Sequence, residues 1–298
     1  MDRLLSKFAE RFMGAIEMVY PWTDYQLYGG WKIEKHIARS EYRLKDPNGT
    51  VMAKGRLLKC QKILGEFRRA GRIPPQPKNL VLMVHGMGRL SSLFKRMGKQ
   101  LAQNGVASEL YRYPCPGGTL QVQTDRLRDY LSRLEDVEEI SFVTQSYGAL
   151  VVRSALAKKD PWRRRIRLGR MVMIVPPNQG SWVAEQAHKV PAFKKIVDHD
   201  GWSLTSDAAS KIPPPPLPFA IIAGGSGSDT GFLPFIPGDN DGLLTVDETW
   251  LDGAADHAVI PTVHFLSAAN KSTLDLTTRF LLYGALSHDA PIKLPAEA

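Results

Sequence analysis

The sequence predicts an α/β fold, a mainly parallel central sheet flanked by helices, on three observations. Six short apolar or β-branched runs recur: NLVLMV (79–84), ELYRY (109–113), EISFVTQ (139–145), RMVMIV (170–175), FAIIA (219–223) and AVIPTV (258–263). Helical stretches, LFKRMGKQLAQNG, QTDRLRDYLSRLEDV and ALVVRSALAKK, separate the earlier runs. The runs are short and apolar, as strands covered by helices on both faces are. Strands joined through helices require right-handed crossovers, and ligands in such sheets sit beyond the carboxyl ends of the strands. The loops that follow the six runs are therefore where chemistry is to be sought.

The 298 residues are enough for one large domain with a sizeable core, or for a core domain plus an extension. With 43% hydrophobic and 23% charged residues the chain is globular in composition, which excludes disorder as the default. Its two cysteines, Cys60 and Cys115, stand outside any zinc-ligand spacing, so neither a disulfide framework nor a metal site is expected, and a reducing, cytoplasmic setting fits. No run approaches the roughly 18 apolar residues of a membrane-spanning helix. The N-terminus is interrupted by charges every few residues, unlike a secretory signal.

Taken in order, residues 1–78 read as an N-terminal extension. Leu4, Leu5, Phe8, Phe12, Ile16 and Val19 form one stripe of an amphipathic helix, which packs on its own domain, pairs with a second copy or lies on a membrane surface. RSEYRL and TVMAKGR flank KDPNG and predict a β-hairpin; LLKCQKILGEFRRAG predicts a helix stopped at Gly71; RIPPQPK is an extended linker. This segment holds 16 lysines and arginines against 8 aspartates and glutamates, so it carries most of the formal charge of +9. A second basic run, KKDPWRRRIRLGR, spans 158–170. Solvated faces account for both; no base-recognition motif accompanies the arginines, so nucleic acid is not an expected partner. Residues 79–298 form the main domain, with 178–217 read as a short cap or an ordinary crossover.

Within FVTQSYGAL (142–150) an apolar strand stops at Ser146, a glycine follows two places later, and a helix begins. That is the pattern of a nucleophile elbow, in which a strained turn exposes the hydroxyl above the sheet at the positive end of the next helix. A serine needs a base oriented by an acid. GDNDGLLTVDET supplies Asp239 and Asp241, and IPTVHFLS places His264 just past the last strand. Asp241 is preferred as the acid, with Asp239 left to bond the loop. His264 is preferred as the base over His257, which precedes its strand, and over His85, which comes before Ser146 and bonds its own turn. In LMVHGMGRL (82–90) the glycine-flanked turn after the first strand and the residue after the serine offer backbone donors at Met87 and Tyr147, the candidate oxyanion hole.

With these residues assembled, residues 79–285 resemble the α/β-hydrolase superfamily, within it the bacterial lipase-like serine esterases. VHGMGR is similar to their oxyanion turn, TQSYGALVVRSAL to their elbow and helix, VPPNQGS (175–181) to the turn after the next strand, and DNDGLLTVDET with the later histidine to their acid and base loops. Thr144 stands where these proteins usually carry glycine, and Gln145 replaces the common histidine before the serine. The resemblance implies acyl transfer from a small-molecule or lipid ester to water through an acyl-serine, with no cofactor and no assignable calcium ligands. Two rivals remain: an acyltransferase using the same acyl-serine, and a catalytically silent hydrolase fold that binds a partner or membrane through its basic N-terminal segment.

Overall fold

A computed structural model of the chain describes residues 20–87, 93–115, 117–188 and 204–287. The amphipathic helix expected over 1–20 lies, Tyr20 apart, outside the described residues, as do Gly88 of the turn and 189–203 of the expected cap.

The first part is a four-stranded antiparallel sheet in chain order, β1 (Trp22–Tyr28), β2 (Trp31–His36), β3 (Tyr42–Lys45) and β4 (Val51–Gly55), followed by helix α1 (Leu57–Arg69). β3 and β4 are the hairpin expected around KDPNG. β1 and β2 go beyond that expectation. Their connection is the pair Gly29–Gly30, with φ of 54° and 81°, which suits the two-residue loop whose twist matches that of a hairpin. The apolar alternation that should reveal these strands is broken because Asp24 and Glu34 occupy buried positions on them. Each is matched to cations, Asp24 by Lys32 at 3.2 Å and Glu34 by Arg43 at 2.5 Å.

The second part is the parallel sheet. β5 (Asn79–Val84), β6 (Ser108–Tyr111), β7 (Glu139–Gln145), β8 (Arg167–Ile174), β9 (Phe219–Gly225) and β10 (Asp256–Pro261) are arranged β10-β9-β8-β7-β5-β6, each pair parallel. Side chains alternate between two cores, with the period of two that a strand imposes. Leu80, Leu82, Val84, Ile140, Phe142, Met171 and Met173 face one core, closed by α3 (Leu120–Ser132) and α4 (Tyr147–Leu156). Val81, Met83, Val143, Val172 and Ile174 face the other, closed by α2 (Phe94–Gln103) and α8 (Lys271–Tyr283). Among the described residues the remaining α-helices, α5 (Trp182–His188), α6 (Ser206–Ser210) and α7 (Val246–Thr249), lie in the connections after β8 and β9.

β6 is an edge strand, and an unpaired edge invites association with another chain. β1 and β2 cover it. Asp24 N–H donates to Arg112 O (2.8 Å), the Asp24 carboxylate accepts Arg112 N–H (3.0 Å), and Lys32 Nζ donates to Leu110 O (2.5 Å). Leu27 of β1 belongs to the first core of the parallel sheet. Strand order reverses beside β5: the chain steps outward to β6 and then returns to β7 on the other side. That switch point is where the loops after β5 and β7 diverge and a ligand has room.

Candidate active site

Ser146 sits at the end of β7 with φ 50° and ψ −128°, a conformation that non-glycine residues seldom hold and that costs on the order of 1–3 kcal/mol. The strain is held by neighbours on both sides. Ser146 N–H donates to Ile174 O of β8 (2.9 Å), and α4 begins at the next residue with Ala149 N–H donating to Ser146 O (2.9 Å). Close packing is possible because the flanking positions are glycine. A Cβ on Gly148 would lie 2.5 Å from Val84 O and 2.6 Å from His85 O; one on Gly86 would lie 2.9 Å from Ser146 Cβ. The chain after β5 therefore runs directly against the serine.

Three side chains distant in sequence form one hydrogen-bonded line. His264 Nε2 is 2.9 Å from Ser146 Oγ, and His264 Nδ1 is 2.7 Å from Asp241 Oδ2. A carboxylate only accepts, so Nδ1 carries the proton and Nε2 is left to accept the serine hydroxyl. His264 and Asp241 are buried, at 3% and 1% exposure, so this line is shielded from water along most of its length. Asp241 Oδ1 is held separately by Leu243 N–H (2.9 Å) and Leu244 N–H (2.7 Å). The loops that carry Asp241 and His264 are also joined through the backbone, His264 N–H donating to Asp241 O (2.9 Å). On β9, Gly224 leaves the space they need: a Cβ there would be 2.8 Å from Asp241 Cβ.

The competing residues go elsewhere. Asp239 accepts Ser226 N–H (2.7 Å) and Gly227 N–H (3.1 Å), closing the loop after β9. His257 lies within β10 rather than before it, since that strand starts two residues earlier than its apolar run, and its ring approaches Thr249 Oγ1 at 3.5 Å. His85 holds its own turn: Nδ1–H donates to Gly86 O (2.7 Å), the ring stacks on Tyr113 at 4.5 Å, and Tyr113 Oη–H donates to His85 O (2.7 Å). Gly86 O and Met87 N–H belong to one peptide plane, so the His85 bond fixes the direction in which the Met87 donor points. Met87 packs against the first core, and Tyr147, wholly buried, is the first residue of α4.

Burial pushes the His85 imidazole down to about 4, so it stays neutral in the folded chain. The unfolded chain, with an ordinary imidazole near 6.5, binds the proton more readily as pH falls, so stability is lost on going down from about 6.5 to 4. Replacement by asparagine is expected to remove about 2–3 kcal/mol of the stability difference between pH 7 and pH 4.5 in urea titrations. An unchanged difference would mean that His85 takes up its proton without unfolding.

Two positioning side chains have no sequence signature. Gln145 Nε2 donates to His264 O (3.3 Å) and Ser267 Oγ (3.2 Å), tying the His264 loop to β7. Arg153, buried on α4, donates to Asn178 Oδ1 (2.9 Å), Pro213 O (3.3 Å) and Ile212 O, and so pins both ends of the 178–217 segment to the elbow helix. Burial lowers its guanidinium to about 10, and among the described residues no carboxylate pairs with it. Among the described residues there is also no cluster of histidine, cysteine and carboxylate side chains that could hold a metal, and no helix long and apolar enough to cross a membrane.

No protein-family model matches the chain, and neither does any curated protein. Solved structures do. The mature form of the Bacillus licheniformis lipase BlEst2 is 20% identical, with a TM-score of 0.53 over 67% of this chain and 91% of that one. Its propeptide form is 21% identical, with a TM-score of 0.56 over 75% of this chain and 54% of that one, so the chain spans about half of the longer form. The sheet order, the crossovers and this likeness together identify the architecture: the chain has the α/β-hydrolase fold, in a form similar to that of a bacterial lipase.

Proposed function

We propose that the chain is a serine hydrolase that cleaves carboxylic esters through an acyl-serine intermediate. The observation that carries this reading is the line from Ser146 Oγ through His264 to Asp241, at 2.9 and 2.7 Å, made at the mouth of the switch point. In the first half-reaction Ser146 Oγ bonds to the ester carbonyl carbon while its proton passes to His264 Nε2. Asp241 keeps the imidazole in the required tautomer and stabilises the imidazolium. The N–H groups of Met87 and Tyr147 receive the oxyanion, each such donor contributing about 3–4 kcal/mol to the transition state. His264 returns the proton to the departing alcohol as the C–O bond breaks. Water then repeats the sequence on the acyl-serine and releases the acid.

The fold supports this through the likeness to a lipase, and the strained Ser146 supports it because such strain persists where function requires it. A panel of p-nitrophenyl esters of increasing acyl length, run with and without added alcohols, tests it. Release of nitrophenol with free acid as the main product is expected; an ester of the added alcohol as the main product would favour the acyltransferase, and no release from any ester would favour the silent fold.

A further inference from the structure

The seventeen residues from Ser226 to Gly242 contain no helix or strand, yet a proposed acid such as Asp241 has to be held within about 0.5 Å of its working geometry. A loop of this kind leaves its backbone carbonyls without ladder partners, and buried carbonyls need donors. Three consecutive side chains supply what the ladder does not. Asp239 reaches back to the end of β9, and Asp241 reaches forward to Leu243 and Leu244. Asn240, wholly buried, gathers the stretch between, beside main-chain bonds from Gly231 N–H to Ser228 O (3.0 Å), Ile236 N–H to Leu233 O (3.0 Å) and Asp241 N–H to Leu244 O (2.9 Å).

Asn240 Oδ1 accepts Leu233 N–H (3.1 Å) and Gly242 N–H (3.0 Å). Its Nδ2 faces four carbonyl oxygens: Gly238 (2.9 Å), Leu233 (3.2 Å), Thr230 (3.3 Å) and Ile236 (3.4 Å). Two amide hydrogens are therefore shared among four acceptors, and every polar atom of the side chain is engaged. The main chain adds Phe232 N–H to Asn240 O (3.1 Å). Gly231 must be glycine because a Cβ there would run into the Asn240 amide itself.

We infer that Asn240 is a positioning residue for the proposed acid: its amide gathers the carbonyls of residues 230–238 and thereby sets the Asp241 carboxylate against His264. The inference rests on the ester-hydrolase reading for its kinetic consequence, but not for the geometry it concerns. The chemistry of the ring is specific to a donor. Aspartate has the same shape and keeps an acceptor for Leu233 and Gly242, but its second oxygen would meet four negative carbonyl ends. Such a carboxyl is forced toward its protonated form, by up to 3–5 pKa units at fully buried sites. An Asn240→Asp chain should thus hold Asp241 correctly only while residue 240 carries a proton.

The test is the ratio of kcat/KM for the parent to that for Asn240→Asp, measured with p-nitrophenyl butyrate from pH 5.5 to 9. The ratio is expected to be below threefold at the acid end and to rise about tenfold per pH unit above the raised carboxyl pKa, with KM unchanged. A ratio independent of pH, accompanied by a lower melting temperature, would make Asn240 ordinary structural support and overturn the inference. The low-field proton resonance of His264 Nδ1–H, bonded to Asp241, supplies the same test without turnover. It should fade in Asn240→Asp as pH rises and persist in the parent; persistence in both overturns the inference. An inactive parent that shows this contrast would remove the esterase reading and keep the positioning role. If Asn240→Asp does not fold at any pH, Asn240→Ser is measured in its place. A loss of tenfold or more in kcat with KM within threefold supports the inference, and parent-like kcat overturns it.

Discussion

Ser146→Ala is expected to reduce ester turnover by about 10⁴-fold or more while leaving the melting temperature unchanged or higher. The size of the loss follows from the way the three side chains work together. In the proposed mechanism the acyl-enzyme forms only through the serine oxygen, 2.9 Å from His264 Nε2, so without it the first half-reaction has no nucleophile. Backbone donors remain, and a site that only binds and polarises the carbonyl still accelerates hydrolysis over water, which is why the loss is finite. Stability should not fall, because Ser146 Oγ makes its bond at a partly exposed position and the backbone bonds to Ile174 and Ala149 are untouched. Initial rates on the best ester of the panel, with melting curves on the same samples, check both halves. Equal rates in the two chains would take Ser146 out of the mechanism.

Gly148→Ala should damage fold and activity together, although it adds one methyl group and alanine is the better helix former by about 1 kcal/mol. The methyl would lie 2.5 Å from Val84 O and 2.6 Å from His85 O. Both are backbone atoms at the end of a central strand and cannot turn aside as a flexible side chain could. Overpacking of this kind costs about 1–3 kcal/mol, so the clash outweighs the helical gain. Relief requires α4 to move away from β5, carrying Ser146 away from the His85–Met87 turn. A misplacement of about 1 Å at a reacting centre costs about 10²-fold in rate. Melting temperature and kcat are expected to fall together. A variant with parent stability and parent rate would show that the elbow and the turn are less closely packed than these contacts imply.

The contrast between Gly148 and Asn240 explains how much of the site could be read along the chain. The elbow leaves a local trace: the strand Glu139–Gln145, Ser146, a glycine two residues on and the helix Tyr147–Leu156 are consecutive, although the atoms that demand Gly148, Val84 O and His85 O, lie at the end of β5. The parallel strands were legible for a related reason, since burial on both faces makes each an apolar run, although β8 begins three residues and β10 two residues before the apolar part, in the charged ends Arg167 and Asp256. Strand order put the loops of Asp241 and His264 at the carboxyl edge, and the GLLTV run behind Asp241 set it apart from Asp239 in the same loop. What escaped were residues whose partners are remote or whose type misleads. Asp24 and Glu34 look like surface positions until Lys32 and Arg43 are beside them, and so β1 and β2 were hidden. Arg153 looks like the polar face of a helix, yet it is buried against carbonyls sixty residues away. Asn240 reads as one more turn residue in GDNDG, and nothing near it in sequence says that four carbonyls will converge on its nitrogen.

A fluorophosphonate probe reads the proposed chemistry at its source, since it bonds only to a hydroxyl made nucleophilic by a neighbouring base. Incubated with the parent and with His264→Ala, followed by peptide mapping, it should label the parent on Ser146 alone. The label should vanish or slow by at least about 10³-fold when the imidazole is removed. Labelling of Ser146 at the same rate in both chains, or no labelling of the folded parent, would contradict the assignment of Ser146 and His264 as nucleophile and base.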